Sequence, residues 1–196
     1  MSYNSKTQDS FETKWRLFCF SHAIDQTPEL SVDTFYEFKI NERLIKLYTT
    51  KYLQFLPKEP IDEIGKTPEH IYNTIQTLEG KEIKAVCRKH YVDHFEKQWS
   101  KKDHDELIKH GQCYYCELTL EDFEQLYNQS KIHKKANRGF NLEIDRKSPN
   151  LEYSKDNCVM ACYWCNNAKT DEFEADEFKP IGLAIGKALK ARVKSQ

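Results

Sequence analysis

The sequence predicts an α+β chain that is mostly α, with a helical N-terminal region, a short two-stranded segment and a C-terminal helix. Three observations predict it. Apolar residues recur three and four apart along most of the 196 residues, whereas clean alternation is confined to short stretches. Only 6 glycines are present, about half of the usual share of roughly 7%, too few for a fold built on glycine turns. Hydrophobic residues at 39% and aromatic residues at 13% suffice for a packed core in one compact domain or two small ones.

The same figures exclude other classes. A disordered chain would be less apolar and less aromatic, and no run approaches the roughly 18 uninterrupted apolar residues of a membrane span. The opening Met1–Lys6 is polar and lacks the apolar segment of a secretory leader, so a cytoplasmic protein without membrane attachment is expected. Net charge is −1, and a division at residue 108 leaves 16 basic against 18 acidic residues before it and 14 against 13 after it. Basic character is therefore local rather than global.

Residues 9–22 carry Phe11, Trp15, Phe18 and His22 on one helical face, with Asp9 or Ser10 as cap. Thr34–Ile40 alternates as a strand would; from Asn41 the spacing is helical until Pro57-Lys58-Glu59-Pro60 ends it. Thr67 and Pro68 open the next helix as cap and first-turn residue, and Gly80 closes it. Ile83 to Trp99 marks a long amphipathic helix, and Asp103–His110 adds a turn or two. Thr119-Leu120-Glu121-Asp122 has the form of a capping box and starts a helix over Leu120–Gln129. Lys131–Arg138 is a basic loop. Phe140, Leu142 and Ile144 alternate with Asn141, Glu143 and Asp145, the pattern of a strand with one buried face. Asn157–Met160 forms a second short strand, Tyr163–Lys169 a short helix, and Ile181–Val193 a last helix after Pro180.

Seven cysteines occur, at 19, 87, 113, 116, 158, 162 and 165. An odd number without an export signal argues against a disulfide framework. Four of them form Cys113-Tyr114-Tyr115-Cys116 and Cys162-Tyr163-Trp164-Cys165. Two thiolates at that spacing grip one ion from a tight knuckle, and two knuckles complete a tetrahedral structural Zn2+ site. Cys19, Cys87 and Cys158 read as small buried apolar residues.

Between the knuckles lie polar residues suited to a second metal. Asp145 ends the first strand, Asn166 and Lys169 share one face of the short helix, and Asn157 sits at the mouth of the loop between the strands. A carboxylate and an amide oxygen suit a hard divalent cation that keeps water positions open, Mg2+ or Mn2+ rather than a second zinc.

Taken in order, Cys113-x-x-Cys116, Leu142-Glu143-Ile144-Asp145-Arg146, Asp156-Asn157-Cys158-Val159 and Cys162-x-x-Cys165-Asn166-Asn167-Ala168-Lys169 resemble the HNH endonucleases. The resemblance is to the zinc-stapled subgroup of these ββα-metal nucleases and covers about residues 111–172. It implies an HNH nuclease domain with a C-terminal helix over 109–196, beside a helical region over 1–108 that could bind DNA, dimerise or dock a partner. It further implies Asp145 and Asn166 as ligands of the catalytic Mg2+ or Mn2+, Asn157 as the residue that holds the loop, and Lys169 near a phosphate. DNA is the implied substrate, with phage defence or restriction as setting and an ATPase of a defence system as a kind of partner seen among such proteins.

One position departs from the family pattern. Arg146 stands where the general-base histidine usually follows the Asp, and a guanidinium stays protonated and cannot accept a proton from water. It could clamp the scissile phosphate or offset transition-state charge. The proton then goes elsewhere: to Tyr153 in the loop, as in an Asp-Arg variant of these nucleases, or to Glu143, which shares a strand face with Asp145 and could instead be a second metal ligand. His133 is a weaker candidate. The implied reaction is metal-assisted phosphodiester hydrolysis. Lys131, Lys134, Lys135 and Arg138 form a basic cluster just before the strand, suited to phosphate contact. The alternative is a catalytically inactive zinc-stapled DNA-binding or adaptor module.

Overall fold

The computed structural model describes residues 2–25, 29–48, 60, 64–132 and 141–194. Over these residues the chain is mostly helical with a small two-stranded antiparallel sheet, an α+β arrangement. No described helix is long and apolar enough to cross a membrane. The chain divides into two compact units, one of Asn4–Lys97 and one of Met1–Tyr3 with Gln98–Gln196.

The first unit is helical: α1 (Tyr3–Asp25), α2 (Val32–Glu37), α3 (Glu42–Leu47), α4 (Pro68–Glu79) and α5 (Glu82–Gln98). Its core is aromatic. Phe11 stacks on Trp15 and meets Tyr91 edge-on, while Phe18 meets Phe35 edge-on at 5.4 Å. Two polar groups buried with this cluster find partners, Tyr91 Oη donating to Ser10 Oγ and Lys14 Nζ to the Tyr36 carbonyl, whereas the buried Trp15 indole N–H has none among the described residues. Cys19 and Cys87 are buried, and burial pushes the Cys87 thiol up to about 11. Thr67 caps α4 with Pro68 in its first turn and Gly80 at its end, and Asn41 caps α3.

Two expectations for this unit need correction. α1 begins at Tyr3, well before Asp9. The expected strand over Thr34–Ile40 is instead helix α2 over its first part. The reason is local: Ser31 Oγ accepts from Thr34 N, and Thr34 Oγ1 accepts from Ser31 N, a reciprocal cap that commits the following turn to helix. The alternation of apolar residues there is too short to outweigh it. Pro57-Lys58-Glu59 lies outside the described residues.

The second unit contains α6 (Lys101–Leu107), α7 (Leu120–Asn128), β1 (Glu143–Arg146), β2 (Cys158–Ala161), α8 (Tyr163–Lys169) and α9 (Ala175–Lys194). α7 starts with the capping box at Thr119 and Asp122. The strands pair with Glu143 opposite Ala161, Ile144 opposite Met160, Asp145 opposite Val159 and Arg146 opposite Cys158. Tyr115, Leu118, Phe123, Leu126, Val159 and Phe178 pack around the four knuckle cysteines as one core.

α9 starts six residues earlier than Ile181 and contains Pro180. Its start is set by Glu174, whose carbonyl accepts from Phe178 N and whose backbone N–H donates to the Glu177 carboxylate. Pro180 then forfeits one bond near the helix start, the one its N–H would have made to the carbonyl of Asp176, an exposed residue. Farther along, α9 comes against the first knuckle at two glycines. A Cβ at Gly182 would lie 2.6 Å from Tyr115 Cβ, and one at Gly186 would collide with the Cys116 carbonyl oxygen.

Candidate functional site

The first knuckle is a turn whose geometry follows from its bonds. Cys113 N donates to the Leu118 carbonyl, Glu117 N donates to the Cys113 carbonyl, and Glu117 takes a left-handed φ of 60° to close the loop. Tyr114 N donates to the Met160 carbonyl at 2.8 Å, which fixes the knuckle beside β2. The second knuckle is the start of α8, with Cys162 as its N-cap. All four sulfurs are buried and lie within 4.8 Å of one another. Among the described residues this is the group of three or more His, Cys, Asp or Glu side chains close enough to hold an ion.

The spacing fits a tetrahedral metal. Bonds of about 2.3 Å from zinc to sulfur imply sulfur–sulfur edges of about 3.8 Å, and Cys116 Sγ lies 3.7 Å from Cys162 Sγ. Backbone N–H groups point at sulfur: Cys162 N donates to Cys113 Sγ and Cys165 N to Cys162 Sγ. A divalent cation would let four thiolates coexist in so small a volume.

Asp145 sits on β1, mostly buried, and burial raises its carboxyl above the usual range. Two groups act on its Oδ2. Tyr115 Oη donates at 2.7 Å, and Lys169 Nζ lies 3.4 Å away. Lys169 is fully buried and also donates to the Arg146 carbonyl at 2.9 Å. Lys169, expected near a phosphate, is a buried group that joins α8 to β1 beside Asp145.

Glu143 and Asp145 are two residues apart on one strand, hence on one face. Asn166 of α8 meets that strand at Glu143, its Nδ2 donating to Glu143 Oε2 at 2.5 Å, which leaves its own amide oxygen as an acceptor. Strand β1 thus carries two carboxylates on one face and α8 an amide bonded to one of them, residue types that suit a hard cation.

The loop between the strands is held by Asn157. Its Oδ1 accepts from Ser148 N, its Nδ2 donates to the carbonyls of Ser148 and Glu152, and its carbonyl accepts from Lys147 N at 2.7 Å. Arg146 turns into this loop. It donates to the Leu151 carbonyl, lies 3.8 Å from the Asp171 carboxylate, and sets its guanidinium 5.0 Å from the centre of the Tyr153 ring. Behind Tyr153 the Trp99 indole stacks at 5.9 Å and 11°, and Gln98 Nε2 donates to the Tyr153 carbonyl. Tyr153 is thus buried between a cation and an indole. Arg146 and Tyr153 form one pair, Glu143 and Asn166 a second, and Asp145 and Lys169 a third.

Of the basic cluster, Lys131 is described; its carbonyl accepts from Arg192 of α9. Lys134, Lys135, Arg138 and His133 lie outside the described residues. The sequence reading missed Tyr115, Trp99 and the pair Gly182 and Gly186. Tyr115 stood inside a recognised motif, and the spacing of the two glycines was visible on one helix face. Trp99 reads in the sequence as one more apolar residue of the long helix.

No family model matches the chain, and no curated protein matches it. A solved structure that does match is described as the rare-cutting HNH restriction endonuclease PacI, reported for its mechanism of DNA perturbation. Identity is 32%, the match covers 44% of this chain and 58% of that one, and the TM-score is 0.36.

Proposed function

We propose that residues 109–196, with their core at 111–172, form a metal-dependent endonuclease domain of the HNH type that hydrolyses phosphodiester bonds in DNA, and that residues 1–108 form an accessory helical region. One observation carries the reading. A four-sulfur cluster joins the first knuckle to the start of α8 beside the β1–loop–β2 hairpin, and Asn166 of α8 bonds to Glu143 on the strand that also carries Asp145. This agrees with the order of motifs in the sequence.

In this reading Cys113, Cys116, Cys162 and Cys165 hold a structural Zn2+. Asp145 and Asn166 would hold the catalytic Mg2+ or Mn2+, with Glu143 as a further candidate ligand; the bound cation would supply Lewis acidity for phosphodiester hydrolysis. Asn157 keeps the loop in register. Arg146 neutralises charge near the phosphate and stabilises a phenolate on Tyr153, the proposed general base. Lys131, Lys134, Lys135 and Arg138 are proposed phosphate contacts.

A second reading has its own observation. Asp145 is already paired with Lys169, so its charge is satisfied without a cation, as a purely structural carboxylate's would be. That favours a zinc-stapled DNA-binding module without catalysis. Supercoiled plasmid incubated with the purified chain and Mg2+ or Mn2+ separates the two. Cation-dependent nicking that is lost in Asp145→Ala supports the nuclease, and Tyr153→Phe and Glu143→Gln in the same assay identify the base. Plasmid retained in the gel but never nicked supports the binder.

A further inference from the structure

We infer that Tyr115 is a positioning residue for Asp145, through which the four-sulfur cluster sets the direction of the carboxylate. The inference rests on the proposed reading of Asp145 as a cation ligand.

Tyr115 is the residue before Cys116, so its backbone is fixed by the knuckle that would grip the structural metal. Its side chain has no freedom either. The ring is fully buried, meets Phe178 edge-on at 5.2 Å and 86°, and lies against Gly182 of α9 at a distance that admits no Cβ. From that single position the hydroxyl reaches across the unit and donates to Asp145 Oδ2, on a strand thirty residues later. Lys169 acts on the same oxygen from α8. With Oδ2 held from two elements the carboxylate cannot rotate, and Oδ1 is presented in one direction.

The neighbouring Tyr114 gives the contrast. Its ring is exposed, and Lys179 of α9 sits 5.1 Å from its centre. One tyrosine of the knuckle faces outward and the other aims at a carboxylate. A phenylalanine would fill the Tyr115 pocket equally well; a buried hydroxyl there is favoured because it has a partner.

Tyr115→Phe in the full chain tests this. Metal bound per chain should stay at the wild-type level, since packing is unchanged, and the melting temperature should fall by only the few degrees that one lost hydrogen bond costs. Mn2+ affinity, read from the electron paramagnetic resonance of the free ion, should fall by about 10–100-fold, the usual effect of losing an outer partner of a ligand. The cation concentration giving half-maximal nicking should rise by the same factor. Unchanged Mn2+ affinity would overturn the inference, and so would loss of the sulfur-bound metal, which would make Tyr115 a core residue only. Asp145→Asn, measured alongside, separates the two levels. If it binds Mn2+ as wild type does, Asp145 is not a ligand and the proposed function falls together with the inference. If it loses Mn2+ while Tyr115→Phe does not, the tyrosine inference alone falls.

Discussion

Gly186→Ala should destabilise the second unit, although alanine is the better helix former. In the interior of α9 the exchange alone would stabilise by about 1 kcal/mol. Against this, the new methyl would collide with the carbonyl oxygen of Cys116, a backbone atom of the knuckle rather than the free end of a side chain. Neither the knuckle nor the helix can yield without moving a sulfur ligand or parting α9 from Tyr115. Overpacking of this kind costs about 1–3 kcal/mol, and the backbone partner places it toward the upper end. A net loss of about 1–2 kcal/mol remains, or about 4–16 °C in melting temperature for a unit of roughly 100 residues. Gly111→Ala is the control: no heavy atom lies within 4 Å of its Cβ position and its φ is not left-handed, so it should gain about 0.4–1 kcal/mol. Thermal unfolding of both variants, with metal content measured beforehand, decides the matter. A Gly186→Ala protein that melts at or above wild type would refute the packing of α9 on the knuckle.

Two other perturbations have defined outcomes. Cys162→Ser removes one of four buried ligands and should release the metal and abolish the cooperative melting of residues 111–172, because binding energy at such a site is folding energy; a variant with wild-type metal content and melting would contradict this. His94 offers a pH test in the first unit. Burial, and then Lys14 at 3.5 Å from its Nε2, hold its imidazole below the ordinary value of 6.5. The unfolded chain therefore binds the proton first as pH falls, so the unit is fully stabilised above about pH 6.5 and loses stability below it. His94→Gln should flatten that acid limb in chemical unfolding at pH 7.5 and 5.5, and an equal loss in both proteins would count against it.

Much of this architecture is legible from local chemistry. Thr67-Pro68 and Thr119 to Asp122 carry complete start signals, and the helices begin there. The two cysteine pairs close into one cluster because each knuckle sets its own sulfurs and the span between them folds back as a hairpin. Ser31 and Thr34 also carry a start signal, but a short alternating run concealed it. Pro180 suggested a boundary, yet the Glu174 cap and the burial of Ala175 and Phe178 pull the helix start ahead of it. Lys169 shows why the site was only half visible. A lysine is ordinarily an exposed group, and its burial follows from a carboxylate and a carbonyl contributed by a strand more than twenty residues earlier. The bond of Tyr115 to Asp145 and the stack of Trp99 on Tyr153 are likewise long-range contacts between unlike elements, for which periodicity carries no signal.

Turnover of supercoiled plasmid by Asp145→Asn, a change of one atom that leaves the four cysteines untouched, is the most direct measurement. Nicking by the wild-type chain that needs Mg2+ or Mn2+, with no nicking by the variant at equal zinc content, is what the account predicts. Equal nicking by both proteins, or none by either, would contradict it.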